Sequence, residues 1–122
     1  SPAALREAIE LLGKEPPSTR QVNFYYWYYA TLALHRAQHA SPQAAEAWRS
    51  WNDGLTRTLL GMQEADGSWP ATCVWGGYGG RVYATSLGAM CLEVYYRYAP
   101  TGTEPASADV AQRPAWEAVP AR

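Results

Sequence analysis

Two histidines, His35 and His39, are spaced four residues apart, which would place both imidazoles on one face of a helix. Two imidazoles in this arrangement have the geometry of a pair of zinc ligands. A third ligand is not evident, and histidines in the last turn of a helix are favoured by the helix dipole without any metal. We therefore prefer the interpretation that this pair stabilises a helix end, and we predict no metal and no other cofactor.

The acidic residues do not form a catalytic cluster in the sequence. Asp53, Asp66 and Asp109 each lack an adjacent acid that could raise a pKa or share a metal ion. Glu93 stands four residues before Arg97, which is the favourable order for an ion pair on a helix. Because an unpaired charge on the apolar helix around it would be costly, we expect this pair to form, and we predict no catalytic residue.

A glycine cluster, Gly76-Gly77-Tyr78-Gly79-Gly80, directly precedes Arg81. Free N–H groups at a helix N-terminus and a guanidinium group would both suit a phosphate or a carboxylate. The spacing matches neither the dinucleotide-binding motif nor the phosphate-binding loop. The preferred interpretation is that the glycines allow a tight chain path and that Arg81 pairs with a buried acid such as Glu93.

Length, charge and cysteine content limit the possible functions. With 122 residues and a net charge of −1, the chain forms one domain at most. Its ten Lys and Arg residues are scattered, so no nucleic-acid partner is expected. The sequence contains no run of about 18 apolar residues, so we predict no membrane-spanning segment. Cys73 and Cys91 are too few for a disulfide framework, and whether they are bonded to each other is left open.

Hydrophobic periodicity predicts four helices and essentially no strand. The predicted helices lie near residues 3–12, 23–38, 43–62 and 82–98. Ser-Pro pairs open the first and third helices, which are amphipathic. The second and fourth helices are apolar around nearly their whole circumference, so we expect them to be buried. The aromatic start of the second helix would also suit a strand, but the length of the apolar run favours a helix. Residues 100–122, rich in Pro and Ala, are expected to be irregular.

The turn between the third and fourth helices is marked by Asp66-Gly67, a turn dipeptide. The spacing of Leu59, Gln63, Gly67 and Trp69 resembles the C-terminal half of the QW repeat of the squalene and hopene cyclases. In that family the Gln and Trp stack and tie the helices of an α/α toroid together. The N-terminal half of the repeat departs from the pattern, with an Asp in place of its basic residue and a Thr in place of its aromatic one.

The segment from the glycine cluster through Arg81 to Tyr83-Ala84-Thr85-Ser86-Leu87 is similar to repeats of protein prenyltransferase β-subunits. Tyr28-Tyr29-Ala30-Thr31-Leu32 repeats part of this pattern in the second helix. The chain most resembles the prenyltransferase and squalene-oxidase repeat proteins, over roughly residues 20–99. The resemblance implies an all-α fold in which residues 1–99 form two helical hairpins of an incomplete α/α toroid of the terpenoid cyclase type.

The resemblance also implies a pocket at the hub of the toroid, where aromatic rings could line an isoprenoid site and stabilise a cation. The same aromatic residues could equally serve packing. The candidate ligand-binding residues are Tyr26, Trp27, Trp75, Tyr78, Arg81, Tyr83, Glu93 and Tyr96. Gln63, Gly67 and Trp69 form the candidate structural motif.

Because the acid-rich motifs of the resembled enzymes are missing, we expect a non-catalytic module that acts in protein binding or assembly. The alternative is a fragment or subunit of a terpenoid cyclase or prenyltransferase-like enzyme, and a third possibility is a structural subunit of a larger assembly. Two hairpins would leave an apolar patch around Phe24, Trp27, Tyr83 and Tyr95. The expected partners are therefore other protein chains, a second copy, or the rest of a longer polypeptide. The absence of a starting Met also suggests a longer polypeptide.

Overall fold

The computed structural model describes residues 1–97, apart from the side chain of Tyr95, and this part of the chain contains four α-helices and no strand. The helices are α1 (Pro2–Lys14), α2 (Phe24–Ala37), α3 (Pro42–Met62) and α4 (Gly76–Arg97). The all-helical prediction is thus confirmed for these residues. Some predictions lie outside the described residues. They are the irregular segment 100–122, the last residue of the predicted fourth helix and the place of the Tyr95 side chain in the expected patch.

The N-termini of three helices are fixed by side-chain caps. The Ser1 hydroxyl accepts a hydrogen bond from the N–H of Ala4 at 3.4 Å, and the Ser41 hydroxyl accepts one from the N–H of Ala44 at 3.1 Å. Each serine is followed by a proline whose fixed φ suits the first helical position, as the Ser-Pro pairs predicted. Asn23 caps α2 in the same way, because its side-chain oxygen accepts from the N–H of Tyr26 at 3.0 Å.

The glycine cluster is where the structure departs most from the predicted helix boundaries. α4 begins at Gly76, because the N–H groups of Tyr78 and Gly79 both donate to the carbonyl of Trp75 at 3.0 Å and form a helical turn. Gly80 then interrupts the helix with φ 64° and ψ −162°, a backbone conformation that only glycine adopts readily. The cluster is therefore a helical turn followed by a kink, and not the loop that we expected.

The core is built around α2, which packs against both α3 and α4, while α1 packs against α3. Apolar side chains of this kind contribute roughly 1.5–3 kcal/mol each when they are fully buried. The core consists of Val22, Phe24, Trp27, Tyr28, Ala30, Leu34, Trp51, Leu55, Leu59, Trp69, Ala84, Cys91 and Val94. α1 adds only half-buried side chains to this core, which confirms the prediction that it is apolar on one side.

α2 is not buried all round, contrary to our expectation. Phe24 and Trp27 lie in the core, whereas Tyr25 and Tyr29 are 53% and 52% exposed. Residues 25 and 29 are one helical turn apart, so they form a stripe on the side of α2 that neither α3 nor α4 covers. The prediction that Phe24 and Trp27 would lie in an exposed patch is wrong, because both side chains are buried in the core of the described residues.

A buried polar link joins α2 to α3. The Thr31 hydroxyl donates to the carbonyl of Trp27 at 2.5 Å and accepts from the indole N–H of Trp51 at 2.8 Å. Both side chains are buried, so each hydrogen bond satisfies a group that water does not reach. Within residues 1–97, no helix combines the length and the apolar character needed to cross a bilayer.

Candidate functional site

Trp69 joins the turn after α3 to both of the helices that flank it. Its indole N–H donates to the carbonyl of Leu59 at 2.9 Å, and its backbone N–H donates to the Thr85 hydroxyl at 3.1 Å. The ring is buried and lies over Gly88, where a Cβ would come within 2.8 Å of it. One side chain therefore fixes the end of α3 against the middle of α4.

The turn itself forms as the Asp-Gly dipeptide predicted. Asp66 accepts hydrogen bonds from the backbone N–H of Ser68 at 3.0 Å and from the Ser68 hydroxyl at 2.6 Å. Gly67 has φ 84°, in the left-handed region that glycine tolerates best. Gln63 donates to the carbonyl of Gly67 at 2.9 Å, so it closes the turn from the α3 side. The stacking of Gln63 on Trp69 that the resemblance implies stays a prediction.

Arg81 belongs to the same turn. The expected pairing of Arg81 with Glu93 is wrong. The guanidinium of Arg81 donates to the Ser68 hydroxyl at 2.9 Å and forms an ion pair with Asp66 at 3.3 Å. The kink that precedes Arg81 places it beside the turn, within reach of these acceptors. The hydrogen bonds from Ser68, and then the charge of Arg81, hold the pKa of Asp66 below its ordinary value.

Glu93 pairs with Arg97 at 3.3 Å, which confirms the predicted ion pair. Both side chains are about half exposed, however, and the pair lies in solvent rather than at an apolar hub. An exposed pair of this kind contributes at most about 1 kcal/mol and does not tune a catalytic acid.

Five aromatic side chains form one surface that we call the aromatic face: Tyr25, Tyr29, Trp75, Tyr78 and Tyr83. The rings of Tyr25 and Tyr29 are 4.8 Å apart, and those of Trp75 and Tyr78 are 6.3 Å apart. Between these two pairs, Tyr25, Trp75 and Tyr83 line a groove of about 410 Å³. The groove thus connects the uncovered stripe of α2 with the start of α4.

Trp75 has a strained backbone. Its φ of 70° lies in the left-handed region, which costs a residue with a Cβ about 1–2 kcal/mol. The N–H of Gly76 donates to the carbonyl of Cys73 at 2.9 Å, and a Cβ at Gly76 would come within 1.8 Å of the backbone oxygen of Ala71. The surrounding turn therefore holds the strain in place. The indole of Trp75 is 60% exposed and lines the groove.

Tyr83 lies half-buried at the groove, and its hydroxyl is buried without a hydrogen-bond partner in the described part of the chain. Burial raises the pKa of Tyr83, and the neighbouring Cys73 and Tyr25 raise it further. The phenol consequently stays neutral and keeps its O–H as a donor.

Three of the eight predicted ligand-binding residues lie on the aromatic face: Trp75, Tyr78 and Tyr83. Tyr26 lies elsewhere, edge-on to Trp51 with ring centroids 5.9 Å apart. Trp27 is in the core, and Tyr96 is exposed near the end of α4. The prediction did not select Tyr25 and Tyr29 for the site, although their four-residue spacing could have identified them as one stripe of a helix.

The histidine pair is divided between core and solvent. His35 is only 3% exposed, its ring stands edge-on to Trp48 at 5.0 Å, and its Nδ1 has no partner within residues 1–97. Burial lowers the pKa of His35, and the charges of His39 and Arg36 lower it further. The expectation of a charged, dipole-stabilised pair is therefore wrong for His35. No group of three His, Cys, Asp or Glu residues that could hold a metal ion is found among the described residues.

The two cysteines are free thiols in separate environments. Cys91 is buried beside the carbonyl of Phe24, with 3.8 Å from sulfur to oxygen, and burial raises its pKa to about 12. It is the small core residue that we expect on an apolar helix. Cys73 is half-buried in the loop before α4, and burial raises the pKa of its thiol as well.

The aromatic face is the candidate functional site of residues 1–97, because it combines clustered exposed rings, a groove and a strained backbone in one place. Strained residues concentrate at binding sites, and large exposed apolar patches mark surfaces of interaction. No protein-family model matches this chain, and no match was found among curated proteins or solved structures.

Proposed function

We propose that this chain is a non-catalytic module of two helical hairpins, of the α/α-toroid type, that binds protein through its aromatic face. The partner is another protein chain or a further part of a longer polypeptide. The observation that carries the proposal is the exposure of Tyr25, Tyr29, Trp75 and Tyr78, which ranges from 52% to 93%. Single exposed apolar residues are ordinary on a protein surface, but adjacent ones of this size are not.

The composition of the face supports a protein partner. Tyr and Trp residues combine a large apolar ring with a polar tip, and they carry much of the binding energy in protein interfaces. Covering each ring would contribute roughly 1.5–3 kcal/mol before the entropic costs of association are subtracted. Four exposed rings are therefore enough for an interface of moderate affinity.

The packing of the helices supports the toroid architecture. α2 packs against α4, the other apolar helix, and also against the amphipathic α3. In a toroid the inner helix of one hairpin also packs against the next hairpin. The uncovered stripe of α2, with Tyr25 and Tyr29, is the surface that such a neighbour would cover.

The same groove favours one alternative, the binding of an isoprenoid by part of a terpenoid cyclase or prenyltransferase-like enzyme. Three aromatic rings line it, and ring faces can stabilise a cationic intermediate. Turnover of an isoprenoid diphosphate by the purified chain, lost on Tyr83→Ala, would favour this alternative over protein binding.

Site-specific photo-crosslinking in the producing cell tests the proposed function. A benzophenone amino acid is placed at Tyr78 on the aromatic face or, as a matched control, at Leu60, an exposed apolar residue of α3. We expect a discrete crosslinked protein species from position 78 and none from position 60. Equal crosslinking at both positions, or none at position 78, would contradict the proposal.

A further inference from the structure

α1 is held to the rest of the chain by few contacts. Of its 13 residues, only Leu5, Ile9 and Leu12 are half-buried, and none is fully buried. No ion pair joins α1 to another helix within the described part of the chain. The Tyr26 hydroxyl donates to the carbonyl of Glu15, just after α1, at 3.4 Å, which is long for a hydrogen bond of this type. α1 is therefore fastened mainly by one half-buried apolar stripe.

The packing beneath this stripe is incomplete. A space of about 130 Å³ is lined by Ile9 and Leu12 of α1 and, across from them, by Leu34, Ala47 and Trp51, which we call the seat. A water molecule occupies about 30 Å³ of the liquid, and close-packed interiors hold few voids larger than that. The stripe thus forgoes part of the dispersion energy that a close-packed contact would supply.

The core does not depend on α1. All of the buried core residues lie at position 22 or beyond, in α2, α3, α4 and the segments that join them. Pro16 and Pro17 separate α1 from α2, because neither residue can continue a helix. Elements with few buried apolar contacts open at a lower free energy than the core, and a helix of 13 residues is marginal on its own. Opening of α1 would leave the contacts among the other three helices intact.

We propose that α1 is a detachable strap, which opens from α3 as one unit while α2, α3 and α4 stay folded, and that its opening uncovers the seat. With the strap closed, Leu34 and Trp51 are only 3% and 5% exposed. The Trp51 N–H is bonded to Thr31, in α2, so its indole keeps this anchor when α1 leaves. The seat shares no residue with the aromatic face, so the strap controls a second apolar surface and is independent of the proposed function.

Hydrogen–deuterium exchange of the full chain, measured by mass spectrometry at urea concentrations below the unfolding transition, tests the inference. Relative to intrinsic rates, we expect the α1 amides to exchange at least about tenfold faster than those of α2 and α3. Their exchange should depend weakly on urea, because opening of α1 exposes far less surface than global unfolding. Ile9→Ala should speed exchange in α1 about tenfold and leave α2 unchanged. Leu11→Ala is the matched control, because Leu11 is 56% exposed on the same helix.

A thiol placed in the seat reports its uncovering directly. Ala47→Cys is treated with a maleimide, and peptide mass spectrometry separates its labelling from that of Cys73 and Cys91. The labelling rate at position 47 should rise about tenfold when Ile9→Ala is added, because the thiol reacts only when the strap is open. Adding Leu11→Ala should leave the rate unchanged.

Several results would overturn the inference. Equal protection of α1 and α2 with the same dependence on urea would show that α1 opens only when the whole chain unfolds. Faster exchange in all four helices of Ile9→Ala would have the same meaning. Exchange of the α1 amides at their intrinsic rates would show that the strap has no closed state. Labelling at position 47 that does not respond to Ile9→Ala would show that α1 does not cover the seat.

Discussion

The indole of Trp69 packs directly on Gly88, so closely that a Cβ at position 88 would lie 2.8 Å from Cδ2 of the ring. The same indole donates its N–H to the carbonyl of Leu59. Trp69 thus spans the interval between α3 and α4, and glycine at position 88 is what makes room for it.

This packing predicts that Gly88→Ala destabilises the fold. Overpacking costs about 1–3 kcal/mol, which exceeds the gain of up to about 1 kcal/mol that alanine brings to a helix interior. Urea denaturation of the full chain measures the change. Gly54→Ala is the matched control, because it makes the same substitution inside α3 where nothing lies within 4 Å of the new Cβ. We expect Gly54→Ala to stabilise, and stabilisation by both substitutions would contradict the Trp69 packing.

A second prediction concerns the buried link between Thr31 and Trp51. Thr31→Val removes the acceptor of the Trp51 N–H while keeping the shape of the side chain, and a buried unsatisfied donor costs about 1–3 kcal/mol. Trp51→Phe removes the donor as well. The double variant should therefore lose less unfolding free energy than the two single variants lose together. A double-mutant cycle of unfolding free energies measures this coupling. Strict additivity would show that the hydrogen bond contributes nothing.

His35 should make the stability depend on pH. Burial holds the pKa of the folded imidazole below its unfolded value of about 6.5, so the unfolded chain binds the proton more readily. The contribution of neutral, buried His35 to the free energy of unfolding is then fully present above the unfolded pKa. It is lost as the pH falls below that pKa. Unfolding free energies measured between neutral pH and about pH 5 should therefore decrease toward acid. His35→Phe should remove most of this decrease, whereas His39→Gln should retain it; a decrease unaffected by His35→Phe would assign it to other groups.

Trp75 should show a conflict between stability and binding. Asn tolerates the left-handed conformation, so Trp75→Asn should relieve part of a strain of about 1–2 kcal/mol and leave the fold equally or more stable. The same substitution should abolish the crosslink from Tyr78. Trp75→Ala keeps the strain and is the control for stability. A large loss of stability in Trp75→Asn would show that the indole serves the fold rather than a partner.

Local signals in the sequence predicted most of the fold. The Ser-Pro pairs, the apolar periodicity of α1 and α3 and the Asp66-Gly67 turn each depend on residues within a few positions of one another, and all appear as expected. The start of α4 differs from the prediction. A run of glycines has no hydrophobic periodicity, and the helical turn that it forms depends on hydrogen bonds to the carbonyl of Trp75.

The candidate site was harder to predict for a physical reason. α2 opens with six consecutive aromatic residues, Phe24–Tyr29, so the apolar pattern alone cannot show which side meets the core. Only the placement of α3 and α4 separates the buried Trp27 from the exposed Tyr25 and Tyr29. The partner of Arg81 likewise depended on a kink at Gly80 that brings it to Asp66, 15 residues away in sequence.

Sedimentation velocity of the full chain, across the micromolar range and with a hydrophobic dye present, tests most directly whether the aromatic face is a binding surface. We predict that the dye sediments with the chain, whether or not the mass rises above the 13.5 kDa of one chain, and that dye binding decreases in Trp75→Ser combined with Tyr78→Ser but not in Leu60→Ser. A compact, monodisperse 13.5 kDa species that binds no dye at any concentration would contradict the account.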